Sequence, residues 1–138
     1  MSEELDEIVG EFIVESSESL DELDRELVTL EQQANPDLIA RIFRVIHTIK
    51  GTSGFLGFSA LESVTHVGEN LLSKLRDGEL QVNEPITTAL LSMVDAVRDM
   101  LASVESSGTD GDGNYDVLFA ELALLESGAP PAEPTVSP

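Results

Sequence analysis

The sequence predicts an all-α fold: an antiparallel up-down four-helix bundle with a fifth helix at the C-terminal end. Two observations carry this. Apolar residues recur at three-four spacing in five successive stretches, and no stretch alternates with the two-residue period of a strand. The breaks between the stretches are mostly short, so successive helices should turn back on one another. The 138 residues fit one domain. With 41% hydrophobic residues but only 4% aromatic ones, the core must be built from Leu, Ile and Val.

The first helix is expected over 3–32. Its stripe is Leu5, Ile8, Val9, Phe12, Ile13, Leu20, Leu23, Leu27 and Leu30. Asn35-Pro36 opens the second, because Asn is a good N-cap and Pro at the first helical position sacrifices no hydrogen bond. Leu38, Ile39, Ile42, Phe43, Ile46 and Ile49 form its stripe. It runs into Gly51-Thr-Ser-Gly54, and Phe55-Leu-Gly-Phe58 reads as a turn. Ser59 with Glu62 has the pattern of a capping box for a third helix, which extends to Arg76 before the Asp77-Gly78 stop signal. Its stripe is Leu61, Val64, Val67, Gly68, Leu71, Leu72 and Leu75. A fourth helix fits 84–105, started by Asn83 and Pro85. The fifth fits 115–126, capped by Asn114 and packed through Val117, Leu118, Leu122 and Leu125. Residues 1–126 thus form the bundle. The stretch 127–138, with four of the six prolines, reads as a linker to further domains.

The charge excludes several functions. Against 27 acidic residues stand 7 basic ones, a net of −20, which repels nucleic acid and anionic membrane surfaces. Without cysteine there is no thiolate chemistry, disulfide or Cys-based metal site. No apolar run approaches the ~20 residues of a membrane span, and the acidic N-terminus is unlike a signal peptide, so a cytoplasmic location is expected.

The second helix departs from this background. Between Pro36 and Gly54 there are three bases (Arg41, Arg44 and Lys50) and one acid, Asp37. On a helical wheel with Ile42 at zero, His47 falls at about 140°, just outside the apolar arc. Gly51 and Gly54 flank it, and Lys50 is its nearest charged neighbour. Each glycine costs a helix about 1 kcal/mol relative to alanine. Either the helix simply ends there, or the glycines clear space around the imidazole for a partner. A cation beside a histidine suits a phosphoryl group. On the third helix, His66 and Glu69 share a face, with Glu62 and Ser73 extending the polar strip. Counting outward from the connecting turn brings Glu69 or His66 within reach of His47. A carboxylate on one imidazole nitrogen would fix the tautomer and leave the other nucleophilic.

Two metal readings are weaker. His47, His66 and Glu69 resemble a two-His, one-carboxylate set, but Lys50 is a poor neighbour for a cation. Asp110, Asp112, Asn114, Asp116 and Glu121 approach the spacing of a calcium loop, but Tyr115 stands where that loop needs Gly.

The string His47-Thr-Ile-Lys50-Gly51-Thr-Ser-Gly54-Phe-Leu-Gly57-Phe58, followed by His66-Val-Gly-Glu69, resembles the signature of histidine phosphotransfer (Hpt) domains, in the variety at the N-terminus of CheA-type chemotaxis kinases. The resemblance implies that His47 accepts a phosphoryl group from ATP held with Mg on a histidine kinase catalytic domain, then passes it to an aspartate of a response-regulator receiver domain. It further implies that Glu69 orients His47, that Lys50 and His66 are auxiliary, and that Gly51 gives a partner access. Neither G-x-x-x-x-G-K-[ST] nor G-x-G-x-x-G occurs. The chain therefore reads as a phosphorylatable carrier with no cofactor of its own, rather than an ATP-binding enzyme. The competing class is a helical docking adaptor that is never phosphorylated.

Overall fold

The computed structural model describes residues 3–111, 113 and 115–128. Five helices follow in order: α1 (Glu3–Gln32), α2 (Pro36–Leu56), α3 (Ser59–Arg76), α4 (Glu84–Ser107) and α5 (Asp116–Glu126). The described residues contain no strand. α1 packs on α2 and α4, and α3 packs on α2 and α4, so the four long helices close a ring. α5 lies against α3 and α4. Leu20, Leu27, Ile46, Leu61, Leu72, Leu90 and Val97 are sealed from solvent inside it, alongside Met93 and Met100.

The expected caps of α2 and α4 form. Asn35 accepts from the Asp37 amide at 2.8 Å, and Asn83 accepts from Ile86 at 2.9 Å. Each satisfies one of the orphan donors of a first helical turn.

α2 does not stop at its glycines. It continues through Gly51 and Gly54 to Leu56, and only Gly57, at φ 85°, turns left-handed. The Phe58 amide then bonds back to the Ser53 carbonyl at 2.9 Å, while its ring stacks on Phe12 with centroids 6.3 Å apart. Burial of Ile49 and Phe58 carries the helix past two poor helix formers. The connection to α3 is thus two residues, Gly57 and Phe58, rather than the four expected.

The capping box at Ser59 also fails to form. Ser59 is the first residue of α3, Phe58 is its N-cap, and no side chain within this turn caps it. Asp110, from the segment between α4 and α5, takes the role instead: its Oδ2 accepts from Ala60 at 2.7 Å and Leu61 at 3.0 Å. A carboxylate there both satisfies open N–H groups and meets the positive end of the helix dipole. Glu62, freed from capping, lies over Gly54.

Three apolar positions expected in the core are outside it. Leu5 and Ile8 are exposed because the first turns of α1 border open grooves, and Val117 is 84% exposed because α5 buries only Leu122 and Leu125 fully. Asp112, Asn114 with its expected cap, and most of the expected linker (residues 129–138) lie outside the described residues. At the α3–α4 contact, Gly68 is buried with its open face against the Met93 sulfur, leaving no room for a side chain.

Candidate functional site

His47 projects from the edge of α2. Its neighbours Ile46 and Ile49 are buried, whereas its own side chain is 60% exposed, as the helical wheel requires. One turn on, Gly51 is exposed, and the space where its Cβ would stand is empty to 4 Å. One turn back, the Phe43 ring stacks on the imidazole, with centroids 5.9 Å apart and planes 10° apart. Above Phe43 lies the Arg76 guanidinium, from the last turn of α3, with its carbon 4.2 Å from the ring centroid.

The short α2–α3 connection brings Glu69 opposite His47. The position is buried, at 8% exposure, and both carboxylate oxygens are used. Oε2 is hydrogen-bonded to His47 Nδ1, and Oε1 accepts from Lys50 Nζ at 2.7 Å. Burial by itself would raise the Glu69 carboxyl. The hydrogen bonds from Lys50 and His47, with their charges, outweigh it and hold the group below its ordinary value. A carboxylate that stays ionised is an acceptor, so Nδ1 carries the proton. In the neutral imidazole this leaves the lone pair on the outer nitrogen, Nε2, which has no hydrogen-bond partner among the described residues.

Of the two residues that spacing brings near His47, Glu69 makes the contact. His66, one turn earlier on α3, is exposed and forms no hydrogen bond or ion pair among the described residues. Gly54 is half-buried, and its open side faces the Glu62 carboxylate. Glu62 is exposed and, like half-buried Ser73, has no side-chain bond to His47. Phe43 and Arg76 join the site in addition to the residues the sequence predicts. Phe43 reads as core from its stripe, yet its position four residues before His47 is a signal that the two rings share a face. Nothing in the sequence points to Arg76, which arrives through tertiary packing.

Among the described residues no group of three or more His, Asp or Glu side chains could hold a metal ion. No described helix is long and apolar enough to cross a membrane.

The chain matches the Hpt domain family over residues 7–100. It is 38% identical over 109 residues to the sensor histidine kinase CheAY of Helicobacter pylori, covering 78% of this chain but only 14% of that protein. Two solved structures are similar. One is the phosphorylated P1 domain of CheA3 in complex with CheY6 from R. sphaeroides: TM-score 0.83, 28% identity, 91% of this chain and 99% of that one. The other is the CheA phosphotransferase domain from Thermotoga maritima: TM-score 0.68, 32% identity, 72% of this chain and 95% of that one. An exposed histidine braced by a buried glutamate thus lies inside the matched region, and the chain belongs to the Hpt domain family, among its CheA members.

Proposed function

We propose that this chain is a phosphohistidine carrier in a two-component phosphorelay, with His47 as the phosphoacceptor. One observation carries the assignment: His47 is held through Nδ1 by a buried carboxylate while its exposed Nε2 side has no partner among the described residues. The Nε2 lone pair attacks the γ-phosphorus of ATP, the N–P bond forms, and the bond to the ADP oxygen breaks with its electron pair leaving on ADP. The Nδ1 proton stays in place, and the Glu69 carboxylate stabilises the positive charge the ring acquires. In the second step a receiver aspartate oxygen attacks phosphorus, and the N–P electron pair returns to Nε2.

ATP and its magnesium belong to the catalytic domain of a histidine kinase, in our reading part of the same longer CheA-like protein. The receiver partner is a CheY-like response regulator, by analogy with the R. sphaeroides relative crystallised with CheY6. Lys50 neutralises charge beside the reacting nitrogen, His66 is auxiliary, and the bare backbone at Gly51 admits the partner, whereas Gly54, expected to share that role, is half-buried under the Glu62 carboxylate. We further read the four long helices as an antiparallel up-down bundle, supported by their closed ring of contacts. Residues 1–126 are the working unit, 127–138 a linker, and the location is cytoplasmic.

The test is phosphate incorporation from ATP by the catalytic core of a CheA kinase supplied in trans. The wild-type chain should gain acid-labile, base-stable phosphate, and His47→Gln should gain none while keeping its helical circular dichroism. An adaptor would take up no phosphate at all. Labelling of His47→Gln at the wild-type level would remove His47 from the role.

A further inference from the structure

We propose that Phe43, held in place by Arg76, is a positioning residue that sets the plane of the His47 imidazole. The inference rests on His47 being the phosphoacceptor. A single hydrogen bond at Nδ1 fixes one atom of the ring. It leaves the ring able to swing about that bond, and a side chain 60% exposed has little else to stop it. The Nε2 lone pair lies in the ring plane, so every degree of swing re-aims the nucleophile. Phe43 supplies the missing constraint. It stands one helical turn away on the same face, with its ring nearly parallel to the imidazole and 5.9 Å from it, inside the range of offset stacking.

Phe43 is in turn restrained. It is half-buried at the α2–α3 seam, and the Arg76 guanidinium lies 4.2 Å from its ring centroid, in cation–π range. α3 therefore grips the imidazole twice: directly through Glu69 at Nδ1, and through Arg76 and Phe43 at the ring face. Two constraints define a plane where one defines only a pivot.

The discriminating variant is Phe43→Leu, which keeps an apolar side chain on the α2 stripe but removes the flat face. With a CheA kinase core that labels the wild-type chain, its kcat for phosphorylation should fall about 10-fold with KM unchanged, the scale expected when a reacting group loses its orientation. His47 should keep its Nδ1–H tautomer by nitrogen NMR, while its ring carbon-bound protons lose the ring-current displacement caused by Phe43. Phe43→Tyr should restore both rate and shifts. Arg76→Gln should change both in the same direction by a smaller factor. A wild-type kcat in Phe43→Leu would overturn the proposal. So would a loss expressed in KM, or one that Phe43→Tyr does not rescue, because either would mark a partner contact. Failure here is separable from failure of the carrier reading: in the first case the wild-type chain is labelled and His47→Gln is not, whereas in the second either the wild-type chain is unlabelled or His47→Gln is labelled.

Discussion

Glu69 must serve two N–H donors with one carboxylate, and its two oxygens divide the work: one takes Lys50, the other His47. Glu69→Gln removes the charge while keeping the shape. One charge-assisted hydrogen bond contributes roughly 1.5–3 kcal/mol. If that much is felt in the transition state, phosphorylation should slow about 10- to 150-fold, at ~1.4 kcal/mol per decade. The His47 tautomers, read by nitrogen NMR, should become mixed, and Glu62→Gln should have a much smaller effect. The same carboxylate has a pH signature. Its folded-state pKa is depressed, so its contribution to stability is present above the ordinary carboxyl value and is lost as pH falls through the lowered one. Urea midpoints measured from neutral pH downward should drop in the wild type across that acid window. The drop should be shallower in Glu69→Gln. Spacing alone narrowed the brace to Glu69 or His66, and only the resemblance to Hpt domains favoured Glu69. Residues three apart on a helix differ by about 60° in direction, and only the rotation of α3 against α2 decides which one points across.

The elements repeat this division between what local pattern fixes and what packing decides. Helix existence, order and the Asn35 and Asn83 caps follow from short-range rules and were legible. The end of α2 was not, because Gly51 and Gly54 weaken the helix locally while buried Ile49 and Phe58 hold it together. Gly51 therefore sits in mid-helix with open space above it. Gly51→Gln should raise stability by several tenths of a kcal/mol, as helix propensity predicts. It should also slow labelling of His47, because the new side chain stands one turn from the imidazole. A variant that is more stable and equally fast would deny the glycine any role in access. Gly68 is the opposite case. There a methyl group would meet the Met93 sulfur at the α3–α4 contact, so Gly68→Ala should lose about 1–3 kcal/mol to overpacking despite the better helix former. Chemical denaturation of the two variants should move in opposite directions.

Across the whole molecule, charge is arranged to leave the site distinct. Of the basic residues, Arg98 binds Asp21 and Asp24 to tie α4 to α1, Arg41 meets Glu26, and Lys74 reaches the Glu126 carbonyl to fasten α5. The exposed pairs among these contribute no more than about 1 kcal/mol each. Arg44, one turn before His47, has no ion pair or hydrogen bond among the described residues, leaving a free cation beside the site. The four-helix core and the histidine face were readable because periodicity and charge are properties of short windows. The cap on α3 was not, because Asp110 lies 49 and 50 residues from its donors. Asp110→Ala should cost about 0.5–2 kcal/mol, the usual loss on deleting a helix cap, visible as a lower urea midpoint. That long-distance cap also bears on where the chain can be cut. The Hpt family match ends at residue 100, so a fragment trimmed to that match would keep His47, Lys50 and Glu69 but discard Asp110 and the whole of α5. It would hold the whole candidate site and still leave the helix bearing Glu69 without the carboxylate that caps its start: the boundary of a family match is not the boundary of the contacts that finish the fold.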